Sequence, residues 1–209
     1  MKRKIVFATG NAGKMREIRE ILGDTDVDIL SMKEAGIEAD IMENGTTFEE
    51  NAIIKAKEVA TLLKQSAIQA HSGAIVMADD SGLEIDALNK EPGIYSARYL
   101  GEDTPFSAKS RNLIERLAGV PDEKRTARFV CAIAAVMPEG EVITTHGVIE
   151  GRINYEEKGD NGFGYDPIFY VPEYACTAAQ LTDEQKNSIS HRGKALEAMK
   201  EELRKRITL

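Results

Sequence analysis

The hydrophobic pattern of the chain predicts an α/β fold with a mixed sheet. Two observations carry that reading. Short apolar runs alternate with helix-period segments through the first half. Two long strand-like runs then follow one another across Pro138-Glu139-Gly140-Glu141. Crossovers early and a hairpin late require both parallel and antiparallel neighbours.

Residues 4–8 read as a first strand, and residues 12–22 as a helix with Met15, Ile18, Ile21 and Leu22 on one side. Gly23-Asp24 stops that helix. Residues 28–30 fit a short second strand. Residues 47–64 give the clearest helix, with Ala52, Ala56, Val59 and Leu63 on one stripe and Thr47 with Glu50 as a capping box. Asn51 and Lys55 share a face of it at i, i+4; that face can turn to a site, but a solvated polar stripe is the favoured reading. Residues 73–78 form a buried strand, after which Asp79-Asp80-Ser81-Gly82 reads as a turn; residues 83–88 can extend beyond it. A helix is expected over 107–117, an antiparallel pair over 128–137 and 142–149, a Gly-rich loop over 159–166, a short strand over 168–171 and a last helix over 195–206. No repeat or linker divides the chain, so residues 1–209 are expected to form one domain, with two lobes sharing the long strands.

The formal net charge of −8 argues against a duplex nucleic-acid partner, which needs a basic face. It does not exclude a single nucleotide, because a local cluster with a divalent cation can reverse the local field. Cys131 and Cys176 lack metal-ligand spacing and suit a reducing cytoplasm. The basic start carries too short an apolar stretch for a signal peptide, and no run is long enough for a membrane helix. With three histidines in all, a zinc cluster or serine triad is disfavoured.

Chemistry concentrates in a few segments. Asp79 and Asp80 are adjacent carboxylates that need a cationic partner, and strand alternation would send them to opposite faces. Mg²⁺ is the usual answer to all-oxygen ligands; a polar Asx-type turn explains the same residues equally well. Thr9-Gly10-Asn11-Ala12-Gly13-Lys14 joins the first strand to the first helix, where backbone N–H groups favour anions. It is not a Walker A loop, since position 8 is Ala and position 15 is Met. Glu43 alone reads as a solvated loop acid, and gains weight only as a partner of Asp80 on one Mg²⁺. Gly162-Phe163-Gly164-Tyr165-Asp166-Pro167 lets backbone and an aromatic ring approach a flat ligand, or plugs a core. Lys186, Ser190, His191 and Arg192 precede the last helix, where a capping serine and exposed charges would suffice.

Together these segments resemble the inosine triphosphate pyrophosphatase family. The matching blocks are residues 7–14, 47–52, 78–83, 92–99, 162–169 and 190–193, in the family's order and across nearly the whole chain. The resemblance implies an elongated mixed sheet flanked by helices, two lobes with the site in their cleft, and a homodimer. It implies Mg²⁺-dependent hydrolysis of ITP, dITP and XTP to the monophosphate and pyrophosphate. By position, Thr9, Gly10, Asn11, Ala12, Gly13 and Lys14 bind the triphosphate. Glu43 and Asp80 hold Mg²⁺, and Asp80 is also the general base. Ser81, Phe163, Gly164, Tyr165, Asp166, Lys186, His191 and Arg192 contact substrate. A pyrophosphatase for modified pyrimidine nucleotides and a non-hydrolysing nucleotide sensor are the rival readings.

Overall fold

A computed structural model describes residues 2–23, 25–65, 71 and 73–207. Its seven-stranded mixed sheet has the order β2-β1-β3-β4-β5-β6-β7, with β1 Arg3–Phe7, β2 Val27–Ser31, β3 Ile75–Ile85, β4 Thr126–Val136, β5 Val142–Ile153, β6 Phe169–Val171 and β7 Cys176–Thr177. Strand β1 runs parallel to both β2 and β3, while β6 is antiparallel to β5 and β7. Met137 N–H donates to the Glu141 carbonyl and Ile153 N–H to that of Arg125, which closes β4 and β5 as an antiparallel hairpin. The expected mixed α/β class is what the chain adopts. Five α-helices stand among the described residues: α1 Ala12–Ile21, α2 Phe48–Gln65, α3 Phe106–Arg116, α4 Asp183–Ile189 and α5 His191–Arg204.

Two compact units divide the chain. The first comprises residues 1–80, 131–146 and 193–209, and the second residues 81–130 and 147–192. Strands β3, β4 and β5 each pass from one set of residues to the other. In the first unit, Ile5 and Phe7 of β1, Ile75 and Met77 of β3, Met15 and Ile18 of α1, and Leu196 and Met199 of α5 share one core. In the second, Leu83 and Ile85 of β3, Leu113 of α3, Ile149 and Ile153 of β5, and Phe169 of β6 form another.

Four expectations need correction. Asp79-Asp80-Ser81-Gly82 is not a turn: β3 runs unbroken from Ile75 to Ile85. Turn-forming residues stay extended here because their polar groups find partners from neighbouring elements. Asn51 and Lys55 are not a solvated stripe, since Asn51 is fully buried and Lys55 nearly so. The capping box of α2 is half formed. Thr47 Oγ1 accepts the Glu50 N–H at 3.1 Å, but the Glu50 carboxylate takes the N–H and hydroxyl of Thr46, at 2.6 and 2.7 Å. Finally, α5 starts at His191 rather than 195, and Lys186, Ser190, His191 and Arg192 are all buried rather than exposed. Strand β7 and helix α4 were not expected; at two and seven residues they carry too little periodicity to read.

Candidate functional site

In the first unit the anion loop is built on the start of α1. Asn11 is the N-cap: its side chain accepts the Lys14 N–H at 3.0 Å, and its own N–H donates to Thr9 Oγ1 at 3.2 Å. The cap fixes the loop while Gly10, Asn11 and Ala12 stay exposed and Gly13 and Lys14 half-buried. A cleft of about 820 Å³ flanks this helix, lined by Thr9, Gly10, Ala12, Met15, Arg16 and Lys33 among others.

Strand alternation does to the two aspartates what the pleat requires. Asp79 meets α1, where Lys14 Nζ lies 3.1 Å from its Oδ2 and the carboxylate side chain is fully buried. Asp80 meets α2: Asn51 Nδ2 donates to its Oδ2 at 3.0 Å, and Lys55 Nζ lies 3.6 Å from its Oδ1. The same ammonium lies 3.0 Å from Glu43 Oε1. Asn51 also accepts the Gly45 N–H at 2.8 Å, which ties the segment bearing Glu43 to the residue that orients Asp80. Burial, reinforced by the Glu43 charge, holds the Asp80 carboxyl above the usual carboxylate range, although Lys55, Lys14 and Asn51 pull the other way. Burial alone would lower the Lys55 pKa; the charges of Asp80, Asp79 and Glu43 outweigh it and raise the ammonium above its ordinary value.

Glu43 and Asp80 thus direct carboxylate oxygens at one cation. Hard oxygen donors converging on a point suit Mg²⁺, so the residues fit the metal that the resemblance implies. Among the described residues no group of three or more His, Cys, Asp or Glu forms a ready-made metal cage. Mg²⁺ characteristically keeps waters or phosphate oxygens beside one or two carboxylates, and two acids are enough for that mode.

In the second unit an aromatic ring and buried charges come together. Phe163 is half-buried, with Lys186 Nζ 4.8 Å and Arg192 Cζ 5.5 Å from its ring centroid. Asp166 Oδ2 accepts both Lys186 Nζ at 2.7 Å and the Phe163 N–H at 2.8 Å. Gly162 is obligatory in this loop: its φ is +76°, and a Cβ there would sit 2.2 Å from Asp166 Oδ2. Arg192 Nη2 donates to Ser81 Oγ at 3.0 Å, and the His191 ring stacks on Phe129 with centroids 4.9 Å apart. Gly164 follows Phe163 in a left-handed conformation with φ +66°.

Tyr165 is placed differently from its neighbours. It is buried, its hydroxyl donates to the Ser96 carbonyl at 2.9 Å, and the Phe106 ring meets it edge-on at 5.1 Å. Burial raises its phenol pKa well above the ordinary value. Its side chain therefore braces the loop instead of facing outward.

Of the expected site residues, Lys14, Glu43 and Asp80 gather in the first unit with Thr9–Lys14. Ser81, Phe163, Asp166, Lys186 and Arg192 gather in the second. Asn51 and Lys55, for which the sequence favoured a solvated stripe over a place at the site, lie against Asp80. Positions 51 and 55 flank Ala52 and Ala56 on the buried side of α2, a placement that i, i+4 spacing beside the apolar stripe allows.

An α/β sheet carrying a capped anion loop and lysine-held carboxylates has the chemistry of a protein that handles a polyanion together with a cation. Comparison with known proteins narrows the class. The model of the Ham1 family matches residues 5–202. A relative from Clostridium perfringens, named dITP/XTP pyrophosphatase, is 50% identical over 202 residues, spanning 97% of this chain and 98% of its own. One of the same name from Exiguobacterium sibiricum is 47% identical over 94% of each chain. The Staphylococcus aureus Ham1 structure superposes with a TM-score of 0.83 at 41% identity, covering 98% of this chain and 100% of its own. The HAM1 structure from Coxiella burnetii gives 0.83 at 42%, covering 97% and 99%. This chain belongs to the Ham1 family.

Proposed function

We propose that this protein is a nucleoside triphosphate pyrophosphatase that hydrolyses deaminated purine nucleotides, ITP, dITP and XTP, to the monophosphate and pyrophosphate, and so cleanses the nucleotide pool. The observation that carries the reading is the pair Asp79–Asp80, one carboxylate on each face of β3 and each held by its own lysine. The name borne by relatives at 50% and 47% identity supports the substrate class.

Glu43 and Asp80 would hold Mg²⁺, which when bound neutralises phosphate charge. The residues of the chain do the rest. The N–H groups at the start of α1 and the Lys14 ammonium take the negative oxygens of the triphosphate. Asp80, buried and therefore more basic than a solvated aspartate, accepts the proton of the attacking water. Asn51 keeps that carboxylate oriented through Oδ2, and Lys55 lies beside Oδ1. Phe163 offers its ring face to the base. Arg192 and Lys186 are donors suited to a 6-keto oxygen, against which a 6-amino group would leave a donor facing a donor.

Turnover of ITP, XTP, dITP, GTP, ATP and dTTP with Mg²⁺, detecting pyrophosphate and orthophosphate separately, tests the proposal. Fast pyrophosphate release from ITP, dITP and XTP with ATP and GTP nearly inert is the expected outcome. Orthophosphate as the direct product overturns the reaction. Preference for a pyrimidine overturns the substrate class, and tight binding without turnover makes the protein a sensor.

The proposal includes a homodimer, checked by light scattering, and action in the cytoplasm on free nucleotides without nucleic acid. Cys131 and Cys176 form no disulfide, which suits a reducing compartment. Among the described residues no helix is long and apolar enough to cross a membrane.

A further inference from the structure

We propose that the Lys55 ammonium holds the place of the divalent cation between Glu43 and Asp80, and is displaced when that cation enters with its nucleotide. The inference rests on the reading of Glu43 and Asp80 as the metal-holding pair.

The geometry is that of one cation serving two acids. Lys55 Nζ lies 3.0 Å from Glu43 Oε1 and 3.6 Å from Asp80 Oδ1, and its side chain is only 10% exposed. Two carboxylates brought together in a buried setting repel one another and resist ionisation unless a positive charge stands between them. Lysine suits the task better than arginine. Its ammonium is a compact point charge on a flexible stem, able to serve two acids from one position and then swing away, whereas a guanidinium fork is committed to a planar geometry. Anchored on α2, the stem can move its head without disturbing the helix.

A metal ion and Nζ would compete for the same two oxygens. The competition has two consequences. Without metal, the acids stay neutralised and the site stays folded. With metal alone, binding must pull the ammonium away from two of the three carboxylates whose charges hold it, so it is weak. A triphosphate brings anionic oxygens in place of the two carboxylates, giving the displaced lysine new partners and making metal and nucleotide bind cooperatively. The protein thereby discriminates against metal without substrate.

The test is Mn²⁺ binding to nucleotide-free protein, read by the electron paramagnetic resonance of free Mn²⁺, for wild type and Lys55→Met. The methionine keeps the apolar stem and removes the charge. The expected result is tighter Mn²⁺ binding to the variant, on the order of 10-fold, a typical coupling between linked ligands. The metal-free melting temperature of the variant should fall below that of wild type and recover with Mn²⁺. Unchanged or weaker Mn²⁺ binding by Lys55→Met makes Lys55 a scaffold residue and overturns the proposal alone. Failure of both proteins to bind Mn²⁺ overturns the assignment of Glu43 and Asp80 as well. Should Lys55→Met not fold, the wild-type Lys55 Cε–Hε resonance, assigned by its absence in Lys55→Arg, serves instead. A shift on adding Mg²⁺ together with inorganic triphosphate, larger than with either alone, supports displacement, and a resonance unmoved by the two together overturns it.

Discussion

The two units treat charge in opposite ways. In the first, carboxylates gather around lysines: Glu43 and Asp80 lie against Lys55, and Asp79 against Lys14. In the second, cations surround one half-open ring: Lys186 and Arg192 lie against Phe163, and Asp166 is engaged by Lys186 and the loop backbone. Carboxylates clustered at one strand suit a metal ion and a proton transfer. A ring flanked by donors invites a flat, oxygen-bearing base. Under the proposed function this difference is a division of labour along the chain, with reaction chemistry assigned to one set of residues and base recognition to the other.

Changes in the first unit should slow every nucleotide alike, and changes in the second should alter which nucleotide is chosen. Asp80→Asn carries the largest expected effect, a loss of about 10²–10⁴-fold in kcat for all substrates, as for removal of a general base. Retention of more than about a tenth of the wild-type rate, which is about 1.4 kcal/mol of barrier, would show that Asp80 is not the base. Arg192→Ala should lower the ratio of ITP to ATP kcat/KM by roughly 10-fold, within the range that one methylene-scale or hydrogen-bond contact can discriminate. Equal weakening of both substrates would move Arg192 from recognition to phosphate or scaffold contact and blur the division.

Two smaller effects separate scaffold from site within the second unit. Tyr165→Phe removes the donor to the Ser96 carbonyl and should cost about 1–2 kcal/mol of stability in a denaturant melt. The ITP-to-ATP ratio should hold, and a changed ratio would return Tyr165 to the substrate-contacting set. Thr182→Ala is the mildest. Thr182 caps α4, accepting the Gln185 N–H at 3.2 Å, and its loss should cost about 1 kcal/mol. Because α4 carries Lys186, a drop in base selection larger than the drop in melting temperature would show that the cap positions Lys186 as well as the helix.

Most of the sheet and four of the five helices were legible in the sequence, because long periodic segments such as residues 48–65 and 126–136 announce themselves. The misreadings share one physical cause. Asp79-Asp80-Ser81-Gly82 has the local chemistry of a turn, yet Lys14, Lys55, Asn51 and Arg192 supply from elsewhere the partners a turn would have supplied from within. Asn51 and Lys55 have the local chemistry of a wet face and are buried for the same reason. Local pattern reports what a segment does alone; a functional site is where distant residues override it. The six motif blocks escaped this difficulty because their order along the chain, rather than their local shape, carried the resemblance.

The unbroken run of β3 also has a consequence for how this sequence can change. Along a pleated strand, residue parity decides direction, so Asp79 and Asp80 reach different lysines only because of their count from Ile75. A substitution in this stretch alters one side chain. A three-nucleotide insertion or deletion between Ile75 and Asp79 would exchange the faces of both carboxylates at once, sending each to the other's lysine. Natural variation here should therefore accept single replacements at apolar positions while rejecting any in-frame change of length, a mutational signature that a deep library of this segment would display.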